Sequence, residues 1–283
     1  MSCADCFKGA IHDGKPAGTE KLIHGVSTYI ATPTASTSSS TIIFITDAFG
    51  LKLVNSKILA DTYASKTGFR VLVPDIIPGG GVPLSSLALM EIATSPVAWY
   101  DILGQIRRVV TVLRMMSIFI PFAIRTKKVF PSILDYARAV KADLPAGGKL
   151  GVVGFCWGGM QTTKLTEEPA VDGGKEALIN AHFTAHPSGL KPPQFIESFR
   201  KFQVPLSMAI GDKDFVLSKE QVETIEAGFR QEYGDGAEPG YEIKVYEGCG
   251  HGFAVRADPM KVVENDGAGG AAEQAVTWFR KFL

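Results

Sequence analysis

Short apolar runs alternate along this chain with longer segments of helical spacing. Residues 41–46 (TIIFIT) form an apolar run bounded by turn residues, which is typical of a strand buried on both faces of a sheet. Residues 53–67 follow with apolar positions at helical spacing. Further strands are predicted at 22–31, 69–74, 149–155, 177–183, 205–210 and 241–246, and further helices at 157–165, 219–233 and 271–283. The alternation predicts an α/β fold with a mostly parallel central sheet flanked by helices on both faces.

Two segments depart from this alternation. Residues 87–143 show helical spacing without a clear strand, so we expect a helical insertion near the pocket. Most of the insertion is expected to pack on the sheet as extra helices, while one end forms a pocket wall. Residues 1–21 are polar and glycine-rich, and we expect them to wrap the surface. The length of 283 residues suits one large domain or two modest ones.

Charge and cysteine content narrow the classes of partner. Lys and Arg together number 29, as do Asp and Glu, so the formal net charge is zero. Without a long-range field, neither nucleic acid nor a membrane is an expected partner. The apolar stretch 109–123 is shorter than the roughly 20 residues of a membrane span, and it contains Arg114 and Pro121. Four cysteines are too few for a disulfide framework, and we find no signal-peptide pattern, so a cytoplasmic protein is expected.

The stretch 154–159 (GFCWGG) joins a predicted strand to a predicted helix. Small residues two before and two after Cys156 allow the tight turn of a nucleophile elbow, which lifts the central side chain to the top of the sheet. The helix N-terminus there favours a thiolate, and the Trp157 N–H could stabilise an oxyanion. The alternative is a small buried structural cysteine, and the elbow alone does not separate the two.

A thiol nucleophile needs a base and an orienting acid, and two later strand ends offer them. Asp212 and Asp214 follow the predicted strand 205–210, and the third position after Gly211 favours Asp214 by analogy only. His251 follows the strand 241–246 in a glycine-rich loop. The order nucleophile, acid, histidine is that of the hydrolases built around such elbows. Alternatively, Asp214 is an ordinary turn carboxylate and His251 an ordinary loop histidine. His186 also follows a predicted strand and could border the pocket.

The N-terminal Cys3, Cys6 and His12 resemble a fragment of a metal site. A structural zinc site needs four ligands, so we expect no metal here.

The motifs 154–159 (GFCWGG) and 250–256 (GHGFAVR) resemble the dienelactone hydrolase family, also called carboxymethylenebutenolidases. The N-terminal segment resembles the fungal branch of that family through Cys3, Cys6, Gly9, His12, Gly14 and Gly18. The resemblance implies a single α/β-hydrolase domain over residues 1–283 that needs no cofactor. It also implies a triad in which Cys156 attacks a lactone or ester, His251 transfers the proton and Asp214 orients the imidazole.

The same resemblance suggests further site residues. Asp47, within 46–50 (TDAFG), occupies the place of a glutamate that contacts the resting thiol in bacterial members. The N–H of Ala48 would join that of Trp157 in the oxyanion hole. Arg256 resembles one of two arginines that hold a substrate carboxylate, displaced by one residue. The second arginine is absent from 76–81 (IIPGGG).

Because only one of the two arginines that would hold a substrate carboxylate is present, we expect a larger or less charged ester or lactone than dienelactone. Phe49, Trp157, Phe253 and the insertion 87–143 would supply an apolar substrate pocket. Two alternatives stay open: a biosynthetic cyclase, isomerase or acyl transferase on the same scaffold, and a non-catalytic protein that binds small molecules. The expected partner is a small-molecule ester or lactone, and a homodimer is also kept open.

Overall fold

Eight strands form one sheet in the computed structural model, which describes residues 14–34, 38–95, 97–234, 240–258 and 260–283. The strands are β1 (Thr19–Ile23), β2 (Val26–Ala31), β3 (Thr41–Ile45), β4 (Arg70–Pro74), β5 (Leu150–Phe155), β6 (Ala181–Ala185), β7 (Leu206–Lys213) and β8 (Tyr241–Gly250). Their order across the sheet is β1-β2-β4-β3-β5-β6-β7-β8. Strands β3 to β8 pair in parallel, while β1 and β2 pair antiparallel with their neighbours.

Helices cover both faces of this sheet. They are α1 (Val54–Thr67), α2 (Ser86–Thr94), α3 (Ile102–Thr126), α4 (Phe130–Ala142), α5 (Trp157–Leu165), α6 (Pro192–Arg200), α7 (Lys219–Tyr233), α8 (Phe253–Arg256) and α9 (Val262–Phe282). Helices α1, α8 and α9 contact one another on one face, and α4, α5, α6 and α7 form a connected layer on the other. Every residue of β3, β5 and β6 is buried between these layers. The predicted mostly parallel sheet between two helical layers is thereby confirmed.

Several predicted boundaries were wrong, for local reasons. The predicted strand 22–31 is two strands, because His24 and Gly25 adopt positive φ angles of 48° and 78° and turn the chain into a hairpin. Strand β6 begins at Ala181 rather than at 177, since Ala177 forms an isolated bridge with Pro169. Helix α9 begins at Val262, nine residues before the predicted start at 271, and helix α6 was not predicted. Residues 19–21 lie in β1, whereas residues 1–13 lie outside the described part of the chain.

The insertion 87–143 is helical as expected, but only part of it packs on the sheet. Helix α4 buries Ile133, Tyr136, Ala137 and Val140. Helix α3 buries only Thr111, Phe122 and Thr126 along its 25 residues, which corrects the expectation that most of the insertion is covered.

Helix α3 is also longer than the apolar stretch 109–123. It is the one described helix long and apolar enough, by length and composition, to cross a membrane, and only 17% of its apolar window is buried. A core helix would be mostly covered, so its apolar surface needs another explanation.

Candidate active site

Cys156 lies on a strained turn between β5 and α5, at the centre of the sheet. Its φ of 51° and ψ of −116° fall in a region that non-glycine residues rarely adopt. The glycines around it permit close backbone contact. A Cβ on Gly154 would clash with the Thr162 hydroxyl, and one on Gly158 with the backbone of Ile45. The predicted elbow is therefore present in this structure, with a largely buried thiol at its tip.

Asp214 and His251 are brought together by the register of β7 and β8. Lys213 pairs with Gly250, so the residues that follow them lie side by side at adjacent strand ends. His251 Nδ1 is 3.0 Å from both carboxylate oxygens of Asp214. The Asp214 carboxylate also accepts hydrogen bonds from two backbone amides of the following turn, those of Val216 and Leu217. These hydrogen bonds hold the carboxylate in place, so that it can accept a hydrogen bond from His251 Nδ1 and orient the imidazole.

The thiol and the imidazole shift each other's protonation. Burial raises the pKa of the Cys156 thiol, but the charge and hydrogen bond of His251 outweigh burial, and the net pKa lies below its ordinary value. Burial lowers the pKa of His251, while the Cys156 thiolate and the Asp214 carboxylate raise it, with a net result of about 9. The favoured resting state is accordingly a thiolate paired with an imidazolium.

Ser188 also contacts the thiol, and it was not predicted from the sequence. Its Oγ lies 3.6 Å from the Cys156 Sγ, and its backbone N–H donates to the Cys156 carbonyl at 3.0 Å. A hydroxyl in that position stabilises a thiolate. The only signal in the sequence was a polar residue shortly after a strand, in 185–188 (AHPS).

Asp47 and Arg256 form a buried ion pair at the edge of the same site. Arg256 Nη1 donates to Asp47 Oδ2 at 2.8 Å, and the two side chains are 7% and 1% exposed. Burial raises the pKa of Asp47, and Arg256 opposes that rise. The guanidinium also lies 5.0 Å from the centre of the Phe49 ring. Arg256 is thus engaged by this chain's own carboxylate as well as lining the pocket.

His186 and Phe253 lie behind His251, and neither is among the residues that line the pocket. The His186 ring is fully buried and meets the His251 ring edge-on, with 5.0 Å between ring centres. The Phe253 ring also meets the His186 ring edge-on, with 6.0 Å between ring centres. Burial lowers the pKa of His186 well below its usual range, so the ring is neutral. This placement corrects the expectation that the two rings touch substrate: His186 packs against the His251 imidazole, and Phe253 packs against His186.

A pocket of about 770 Å³ opens in front of the thiol. The residues predicted from the sequence that line it are Asp47, Ala48, Phe49, Cys156, His251 and Arg256. The residues not predicted individually are Met90, Ala93, Arg108, Val112, Met115, Met116, Phe119, Ile120, Ala123, Ser188, Lys213, Phe215 and Val216. Seven of these belong to α3, so this helix supplies most of one pocket wall.

The two residues predicted for the oxyanion hole differ in their relation to the pocket, because Ala48 lines it and Trp157 does not. Trp157 is buried and packs edge-to-face on Phe122 of α3, with 5.9 Å between ring centres. Its amide is the first of helix α5, and such amides have no partner within their helix. Ala48 follows β3 and lines the pocket together with Cys156. Within the described ranges, no group of three His, Cys, Asp or Glu side chains could hold a metal ion, while Cys3, Cys6 and His12 lie outside those ranges.

Comparison with known proteins gives a consistent match across nearly the whole chain. The profile of the dienelactone hydrolase family matches residues 26–283. The hydrolase pyvD of Aspergillus violaceofuscus is 25% identical over 278 residues, which span 98% of this chain and 96% of that protein. Dienlactone hydrolase 1 of Gibberella moniliformis is 27% identical over 267 residues, which span 91% of this chain and 86% of that protein.

A solved structure extends the comparison from the sequence to the fold. A Klebsiella pneumoniae protein assigned to the dienelactone hydrolases superimposes with a TM-score of 0.62 and 18% identity, covering 94% of this chain and 98% of that one. At this identity the likeness concerns the fold alone, and it confirms the predicted α/β-hydrolase fold.

Proposed function

This chain belongs to the dienelactone hydrolase family, and from that premise we propose that it is a cysteine-dependent hydrolase of small esters or lactones. Cys156 is the nucleophile, His251 the general base and acid, and Asp214 the group that orients the imidazole. The observation that carries the proposal is the 3.0 Å contact between Asp214 and His251 Nδ1, in the pocket that also holds the elbow thiol. The three groups come from three strand ends, and a purely structural cysteine has no need of the other two.

In the acylation step, the Cys156 thiolate forms a bond to the ester carbonyl carbon, and the carbonyl π electrons move to the oxygen. The amides of Ala48 and Trp157 stabilise that oxyanion; the Trp157 amide is available because it opens helix α5. The tetrahedral adduct collapses, the bond to the alkoxide breaks, and the His251 imidazolium gives its proton to the leaving oxygen. A thioester remains on Cys156.

In the deacylation step, neutral His251 takes a proton from water, and the resulting hydroxide attacks the thioester. The carbon–sulfur bond then breaks and releases the carboxylic acid. The thiolate and the imidazolium are restored, which is the protonation state that the pKa shifts favour at rest. Ser188 stabilises the returning thiolate through its hydroxyl.

The pocket supports a mainly apolar substrate. Arg256 is already paired with Asp47 at 2.8 Å, so it offers a substrate carboxylate less than a free guanidinium would. Methionine, aliphatic and aromatic side chains of α3 line the pocket in front of the thiol, and such a wall favours a bulky apolar acyl or alcohol group. A neutral lactone or ester with an apolar body fits these features better than a small lactone that carries a carboxylate.

The test compares the wild type with Cys156→Ala on an activated phenyl ester, dienelactone and several neutral lactones. We expect the substitution to lower kcat/KM by more than about a thousandfold, because it removes the group that forms the covalent intermediate. Thermal unfolding of the variant should stay close to that of the wild type. Residual turnover near the wild-type rate would contradict the proposal.

Two further measurements separate the alternatives. Incorporation of ¹⁸O from labelled water into the acid product is expected for a hydrolase, whereas a rearranged product without label would indicate a cyclase, isomerase or acyl transferase. Alkylation of Cys156 no faster than that of a free thiol, with no turnover on the panel, would instead indicate a non-catalytic binding protein.

A further inference from the structure

Helix α3 carries a large exposed apolar surface that the reaction does not explain. Leu103 is 79% exposed, Val109 60% and Leu113 59%. The other strongly exposed apolar side chains of the helix that lie outside the pocket lining are Ile102, Ile106, Val110 and Ile124. A monomer in water rarely leaves so continuous an apolar surface uncovered. Something is therefore expected to cover this helix.

The charge around the helix indicates what covers it. Residues 99–134 contain one acidic residue, Asp101, and six basic ones: Arg107, Arg108, Arg114, Arg125, Lys127 and Lys128. The whole-chain charge of zero, which led us to expect no membrane partner, conceals this local excess. A second copy docked helix-to-helix would bring two such basic segments together, which opposes self-association. Charge complementarity favours an anionic surface.

Two aromatic residues extend the same surface beyond the helix N-terminus. Trp99 is 86% exposed and Tyr100 72% exposed, and their rings pack edge-to-face at 5.7 Å. Exposed Trp and Tyr side chains next to a basic, apolar helix are typical of segments that lie in the headgroup region of a bilayer.

The helix is held along one side and open along the other. It packs on α2, and Arg125 Nη2 donates to the Gly80 carbonyl at 2.7 Å. Phe122 packs against Trp157 beside the elbow. One face of α3 therefore lines the pocket while another faces solvent, so an apolar molecule could enter the pocket directly from whatever covers the exposed face.

We propose that helix α3, together with Trp99 and Tyr100, binds the surface of an anionic lipid bilayer and lies in the plane of its headgroup region. The apolar side chains insert between the acyl chains, and the arginines and lysines contact the lipid phosphates. This binding does not depend on which group attacks the ester.

The experiment is vesicle flotation of the full chain with phosphatidylcholine alone or with phosphatidylserine added. The protein should float with the anionic vesicles, and added salt should weaken the binding because exposed charges are screened. Arg107→Gln combined with Arg114→Gln should weaken partitioning by about thirtyfold, since each basic residue near the surface contributes to the attraction. Neither residue lines the pocket, so hydrolysis of a soluble ester serves as a check on folding.

A matched pair of double variants tests the apolar contribution. Leu103→Asp with Val109→Asp should abolish flotation. Leu22→Asp with Val171→Asp should leave it unchanged, because those side chains are 75% and 67% exposed at other places on the surface.

Three outcomes would overturn the proposal. The first is that the wild type fails to float, or that both double variants float equally well. The second is a dimer in solution that the α3 variant converts to a monomer, which would assign the surface to a second copy. The third is resistance of the bound protein to extraction by alkaline carbonate, which would indicate a membrane span.

Discussion

The carboxyl edge of the sheet and helix α3 border the same pocket but differ in how tightly they are packed. Asp214 at the sheet edge is 4% exposed, whereas Leu113 of α3 is 59% exposed. The sheet edge is held by strand register, by turn amides and by glycines that admit no side chain. Helix α3 is held by few buried side chains, and many of its apolar side chains are exposed.

This difference assigns different tasks to the two walls. A reacting group must stay within a fraction of an ångström of its partners, and only a densely packed edge can hold it there. A wall that only selects and admits an apolar substrate tolerates looser packing. The comparison therefore predicts that substitutions at the sheet edge change the rate of every substrate, whereas substitutions on α3 change which substrates bind.

The largest expected effect is that of Asp214→Asn. The amide keeps the size of the carboxylate but loses its charge and favours the wrong imidazole tautomer, so kcat/KM should fall by about a thousandfold or more for all esters. The matched control is Asp172→Asn, because the Asp172 side chain is fully exposed and its contact with Arg138 is 4.0 Å long. A loss confined to bulky esters would contradict the division between the two walls.

The pH dependence gives a second, smaller test of the sheet edge. Burial lowers the pKa of His251, but Cys156 and Asp214 raise it to about 9, so the imidazolium persists up to that pH. Protonation of the leaving alkoxide requires the imidazolium. We therefore expect kcat/KM to fall above about pH 9, by roughly tenfold for each further pH unit.

The dependence of kcat/KM on pH near neutrality is the other half of this test. The lowered pKa of Cys156 keeps the thiolate populated there, so the rate should not rise along the titration of an ordinary thiol. In Asp214→Asn the alkaline limb should move to lower pH, because the carboxylate that raises the His251 pKa is gone. Methyl and bulky esters should show the same alkaline limb; different limbs would mean that α3 also takes part in the proton transfer.

The sheet edge was largely predictable from the sequence because its constraints are local. The glycine spacing around Cys156 indicated the elbow, and the ends of two predicted strands indicated His251 and an aspartate, although the choice of Asp214 over Asp212 rested on analogy. The position of His186 was missed through a boundary error. The strand before it was expected to end at 183, whereas β6 ends at Ala185. His186 therefore follows the strand directly and lies beneath His251 rather than in the pocket.

Helix α3 was less predictable, for a physical reason. The apolar character of a segment indicates that it favours burial, but it does not name the surface that will bury it. Apolar residues occur on most sides of α3, so no single face marked the core. The expectation that the insertion packs on the sheet held for α4 and was wrong for α3.

The smallest expected effect belongs to the α3 wall itself. Met115 and Met116 line the pocket from α3, and truncating both to alanine removes apolar contacts that only a bulky substrate can make. We expect KM for a long-chain or polycyclic ester to rise about tenfold, with kcat nearly unchanged, because uniform binding is lost rather than transition-state stabilisation. The kinetics of a methyl ester should stay within about twofold of the wild type.

Leu113→Ala is the matched control, since Leu113 lies on the same helix outside the pocket lining. An equal loss on the methyl ester would show that α3 positions the reacting groups and would erase the contrast between the two walls. An unchanged KM for esters of every chain length would show that the apolar part of the bound substrate contacts another wall of the pocket.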